Sequence, residues 1–98
     1  MNYKVIIFVE AKLDIKEAVI WYNEKQAGLG KRFLNAVKDE VQIIKQNPLI
    51  YEIRYDDART ALLKTFPYLI HFSIQSNNII IKAVYHTSRN SSVWFARN

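Results

Sequence analysis

His86 stands three residues before Arg89, and this pair is the sharpest chemical juxtaposition in the sequence. An imidazole titrates near neutrality and can move protons. A guanidinium just past a strand end can hold a phosphate. The surroundings extend the theme. The second half carries Arg54, Arg59, Lys64, Lys82, Arg89 and Arg97 against only Glu52, Asp56 and Asp57, and from residue 58 onward there is no carboxylate side chain. With Tyr85, His86 and Trp94 interleaved, this stretch has the mixture that phosphate contacts and base stacking require. The same cations also read as solvated strand-edge charges that protect a sheet from edge-to-edge pairing.

Other chemistries find less support. His71 is the second imidazole, and either histidine alone reads more readily as a surface or capping residue than as an acid/base group. Two histidines, no cysteine and no carboxylate close in sequence to either histidine exclude the usual metal-ligand spacings, so neither metal nor cofactor is expected. Gly28-Leu29-Gly30 is too short for a phosphate loop and follows a helix, so it reads as a turn. Glu17, Trp21 and Glu24, one turn apart, read as a solvated helix flank beside a packed tryptophan. Trp94 and Phe95 either dock the tail onto the domain or leave an apolar anchor for a partner.

These residues need elements to position them. Tyr3 to Val9 is apolar and β-branched, a strand pattern. Asp14 followed by Glu17 has the spacing of a helix start, although Ala11 and Lys12 allow an earlier one. Ile15, Ala18, Val19 and Tyr22 then form one apolar stripe. After the Gly28–Gly30 break, Leu34, Val37, Val41 and Ile44 form a second stripe, which Asn47-Pro48 terminates. Tyr51 to Tyr55 and Thr60 to Lys64 are short strand candidates. Tyr68 to Gln75 alternates with period two, and Ser76-Asn77-Asn78 turns the chain into Ile79 to His86. The expected fold is α+β: a two-helix hairpin on one face of a mainly antiparallel sheet of about four to five strands, in the order β-α-α-β-β-β. Tyr68, Ile70, Phe72, Ile74, Ile79, Ile81, Ala83 and Tyr85 would face the helices. Leu69, His71, Ser73, Ile80, Lys82, Val84 and His86 would share an open face suited to binding.

At 98 residues the chain is one domain, residues 1–98. Half of its residues are hydrophobic and it has only two glycines and two prolines, so it has the material for a core and is not disordered. Fourteen Lys and Arg against nine Asp and Glu give a net charge of +5, which favours a polyanionic or acidic partner. No run approaches the ~20 apolar residues of a membrane span, and the N-terminus lacks a signal-peptide pattern. A soluble cytoplasmic protein without membrane association is expected.

Three stretches carry a resemblance. The run from Asp14 to Tyr22, Gly28 to Leu34 and Asn47-Pro48 resembles the helical hairpin of RelE/ParE family toxins. Arg59 to Tyr68, and Ala83 to Arg89 with Trp94, resemble that family's sheet and C-terminal region. The resemblance runs from about Tyr3 to Trp94 and implies the toxin of a type II toxin–antitoxin (plasmid stabilisation) pair, with an acidic antitoxin as cognate partner. Its branches imply different targets. A RelE-like member is a ribosome-dependent mRNA endonuclease. That reading makes His86, Arg89 and Arg59 catalytic, with Lys64, Lys82 and Trp94 binding nucleic acid. A ParE-like member poisons DNA gyrase and needs no catalytic set. RelE-like toxins tend to carry arginine directly after the tyrosine that opens the central strand, and here Leu69 follows Tyr68. The Phe66-Pro67-Tyr68 and Val84-Tyr85-His86 segments are nearer the ParE-like side.

Overall fold

The computed structural model describes residues 2–95, with the side chain of Phe95 outside the described set. Strand β1 (Lys4–Ile7) leads directly into helix α1 (Val9–Lys25), and a three-residue turn leads into α2 (Leu29–Gln46). A 3-10 turn (Pro48–Ile50) precedes β2 (Ile53–Tyr55), β3 (Ala58–Leu62), β4 (Tyr68–Gln75) and β5 (Asn78–His86), and a short helix α3 (Ser92–Phe95) follows. The sheet order is β1-β5-β4-β3-β2, with β1 parallel to β5 and every other pair antiparallel. Four strands therefore follow the helical hairpin, one more than the expected order string counts.

Helix α1 begins at Val9, not beside Asp14. Phe8 is extended and its carbonyl accepts from Lys12 N at 3.1 Å, which closes the first turn. Asp14 is left one turn inside the helix, and the sheet determines its role. β1 stops pairing at Ile7, opposite Ile81, and the chain then rises into α1. Among the described residues, the outer edge of β5 beyond Ile81 is thereby left without a strand neighbour. Asp14 Oδ2 fills that gap by accepting from Val84 N at 2.9 Å, so a carboxylate stands in for a missing ladder bond. At the other end of the hairpin, Gly28 takes φ = 86°, a left-handed value that glycine adopts without a Cβ penalty. Asn47 and Pro48 end α2 where the sequence indicates, Asn47 N donating to Ile43 O at 3.1 Å.

The helices bury Ala11, Ala18, Phe33, Val37 and Ile44 against Ala61, Ile70, Phe72, Ile79, Ile81 and Val84 of the sheet. An aromatic cluster closes one end: Phe33 lies 4.9 Å from Tyr68 and 5.3 Å from Phe66, ring centre to ring centre.

Two expectations about the sheet faces are corrected. The ladder between β4 and β5 pairs Phe72 with Ile81 but His71 with Ala83, so Lys82 is an extra residue. Such a bulge reverses the in–out alternation downstream of it. Val84 and His86 therefore share the helix side with Ile70 and Tyr68, and Ala83 and Tyr85 fall on the face of His71. Nor is that second face open. His71, Ser73, Ile80 and Tyr85 are all buried, and the chain after β5 folds back so that Trp94 packs 4.8 Å from the His71 ring and 5.5 Å from Tyr55. Tyr55 Oη and His71 Nδ1 are hydrogen-bonded at 3.0 Å beneath it. The expected binding surface is a second, smaller core.

Three tyrosines among the described residues couple the fold to alkaline pH. Burial raises the hydroxyl pKa of Tyr22 and of Tyr68. Burial, reinforced by the Glu40 carboxylate that accepts from the Tyr51 hydroxyl at 2.7 Å, raises Tyr51 furthest. The folded chain thus holds these protons more tightly than the unfolded chain, whose tyrosines titrate near 10. Their contribution is complete below that value and is lost as pH rises through the folded pKa values. The urea midpoint is expected to hold steady up to about pH 9.5 and to fall above about pH 10, less steeply in Tyr51→Phe.

Candidate functional site

One grouping of acidic, basic and aromatic side chains lies where α1 crosses the end of β4 and β5. Asp14, Glu17, Ala18 and Trp21 recur at three- and four-residue steps, so one helical face presents them together. Tyr68 opens β4, and His86 closes β5 directly opposite it, their rings edge-to-face at 5.2 Å. With Arg89 these side chains line a cleft of about 330 Å³.

His86 is oriented by the turn that follows it. Its Nδ1 accepts from the Ser88 backbone N–H at 3.0 Å and lies 2.7 Å from the Ser88 hydroxyl. A backbone N–H only donates, so these bonds assign Nδ1 as the acceptor and place the proton of the neutral ring on Nε2. The imidazole therefore offers a donor. Arg89 is anchored through its backbone N–H to His86 O at 3.0 Å, and its guanidinium lies 5.0 Å from the Tyr85 ring centre. The same charge partly offsets the burial that raises the Tyr68 hydroxyl, which stays protonated at neutral pH. Trp21 is half-exposed at the rim, edge-to-face with Tyr22, with the Lys25 ammonium 4.8 Å above its ring.

Of the six residues singled out in the sequence, only His86 and Arg89 meet here. Arg59 pairs with Phe72 across β3 and β4 and donates to the Tyr51 carbonyl. Lys64 lines a separate cleft with Arg32, Asp39 and Glu40. Lys82, the bulge residue, is ion-paired with Asp57 at 3.2 Å. Trp94 is packed into the second core, with the Arg54 guanidinium 6.0 Å from its ring. Sequence reasoning reads Glu17 as part of a solvated flank, Trp21 as packed beside it and Tyr68 as having no site role; all three line the cleft, and Trp21 is half-exposed rather than packed. The available signal was the Asp14–Glu17–Trp21 spacing, which matches one helical face. Among the described residues no group of three or more His, Asp or Glu side chains is placed to hold a metal ion. None of the described helices is long and apolar enough to cross a membrane.

The family model for the ParE toxin of the type II toxin–antitoxin system parDE matches residues 5–91. The chain belongs to the ParE toxin family. A solved structure of the chromosomal ParDE toxin–antitoxin system from P. aeruginosa superposes on this ParE-family chain with a TM-score of 0.76, at 14% identity, covering 89% of this chain and 98% of that one. At that identity the match shows a shared fold. No curated protein gives a significant match. The α1–α2 hairpin on a five-stranded sheet is thus a ParE-like architecture, and the cleft sits where its first helix meets its last strand.

Proposed function

We propose that this type II toxin arrests growth by acting on DNA gyrase in the cytoplasm rather than by cutting mRNA, and that an acidic antitoxin segment neutralises it. The observation that carries this reading is the dispersal of the cations a nuclease would gather. Arg59 is bonded to the Tyr51 carbonyl, Lys82 is paired with Asp57, and Lys64 faces another cleft. Phosphoryl transfer depends on preorganised charge converging on one group, and position 69 holds leucine where the nuclease branch places an arginine. His86, with Nδ1 engaged by Ser88, presents an N–H and not the lone pair a general base needs. The net charge of +5 favours an acidic partner that orders on contact.

Brief induction without antitoxin tests both parts. Growth arrest, DNA breaks and an induced SOS response with intact transcripts are expected. Fragmented transcripts with unchanged plasmid supercoiling would transfer the protein to the nuclease reading. Normal growth with confirmed soluble protein would leave a non-toxic basic binding module.

A further inference from the structure

We propose that the cleft between α1 and the β4–β5 end is a binding site for a guanine base. Its lining has a mixed character that narrows the ligand. Glu17 brings a carboxylate, Arg89 a guanidinium, His86 an Nε2–H and Tyr68 a hydroxyl, and Trp21 supplies a half-exposed aromatic wall. A purely cationic ligand would meet Arg89, and a purely anionic one would meet Glu17. A flat neutral ligand with donors on one edge and acceptors on the next satisfies both.

Among nucleobases guanine alone offers two adjacent N–H donors, N1 and N2, matched to the two oxygens of one carboxylate. Its O6 and N7 form the acceptor pair that a guanidinium reads in bidentate fashion. Adenine and cytosine set a ring-nitrogen acceptor beside their amino group, which a carboxylate repels. Uracil and thymine flank a single N–H with two carbonyls. Stacking on Trp21 supplies affinity that any base would share. The Lys25 ammonium above that ring belongs to a long exposed side chain that a stacked base can displace, and its charge suits the attached phosphate. The Nε2–H of His86 and the hydroxyl of Tyr68 remain as donors to O6, N7 or phosphate oxygens. The cleft, at about 330 Å³, lies at the small end of the usual range for ligand sites.

Two sources of guanine share this chemistry: a free guanine nucleotide, and an unpaired guanine in single-stranded nucleic acid. Calorimetric titration of the full chain with GMP, AMP, CMP and UMP, and with oligo(dT) strands with and without one guanine, separates them. GMP or the guanine-bearing strand is expected to bind at least about fivefold tighter than its counterparts, the discrimination of one good bidentate contact. A preference confined to GMP assigns the site to free nucleotide, and one confined to the strand assigns it to nucleic acid. Glu17→Gln is expected to erase the guanine preference while keeping stacking affinity. Trp21→Ala is expected to weaken every base about fivefold or more. Both positions are exposed on α1, and circular dichroism verifies that the variants fold. Equal binding of all four nucleotides, absence of binding by GMP and by the guanine-bearing strand, or a preference that survives in folded Glu17→Gln would overturn the assignment.

Discussion

Phe33→Ala is expected to destabilise the protein by about 3–5 kcal/mol, the cost of emptying a fully enclosed aromatic site. Phe33 has no exposed surface and is stacked at 5.4 Å on Tyr22, besides its edge contacts with Phe66 and Tyr68. These partners come from α1, from the β3–β4 connection and from β4, so one ring joins both layers and no single side chain can collapse into the space it leaves. For a domain whose total stability is on the order of 5–15 kcal/mol, the loss is a large share of the whole. The thermal midpoint should fall by at least about 12 °C. Phe33→Leu, which keeps an apolar group of similar reach, should cost clearly less. A loss below about 1 kcal/mol for Phe33→Ala would show that the ring is not the keystone of the packing.

Gly30→Ala should cost about 1–3 kcal/mol by overpacking the point where the two helices touch. The Gly30 N–H donates to Asn23 Oδ1 at 2.8 Å. A Cβ there would lie 2.5 Å from the Val19 carbonyl oxygen and 2.7 Å from the Asn23 side chain. Asn23 can rotate at the expense of its hydrogen bond, but the Val19 carbonyl belongs to the helix backbone. The penalty therefore opposes, and exceeds, alanine's usual advantage of up to about 1 kcal/mol over glycine in a helix. Gly28 supplies the contrast. A Cβ there meets nothing within 4 Å, and only its left-handed φ resists substitution. Asparagine tolerates that conformation, so Gly28→Asn should recover most of the stability lost in Gly28→Ala. Gly30→Asn should recover none. Urea denaturation of the four variants separates contact from conformation, and similar behaviour at the two positions would refute the close-approach account.

The helical hairpin was legible because its signals are local: the Ile15–Tyr22 stripe, the Leu34–Ile44 stripe and the Asn47-Pro48 stop each lie within one element. Asp14 was misread because a carboxylate three residues before Glu17 looks like a cap whenever the chain before it is taken as strand. Its true partner, Val84, lies 70 residues away. The bulge at Lys82 left no trace in the pattern, since Ile79-Ile80-Ile81 and Val84 are β-branched on both sides of it. Every face assignment after Lys82 was consequently inverted. The cations were scattered for a related reason. Neighbours along a strand point to opposite faces, and residues that share a face can sit at opposite edges of five strands. His86 and Arg89 stayed together because a single turn joins them. Trp21 and Glu17 lacked any cue that β5 would end beside them.

The pairing of β1 with β5 has a consequence for how the molecule is made. Lys4 to Ile7 find their partners at Asn78 to Ile81, and Asp14 waits for Val84. A chain growing from its N-terminus can close the α1–α2 hairpin early. Its first strand and that carboxylate have nothing to bond until the last strand has been added. Closing so long a loop is entropically costly, and topologies dominated by such distant contacts fold slowly. Domains generally fold as units during synthesis, and the β1 pairing of this one requires its last strand. Throughout most of its synthesis the hairpin's apolar face is therefore without its sheet, and whatever meets the chain then meets that bare face before the toxin fold exists.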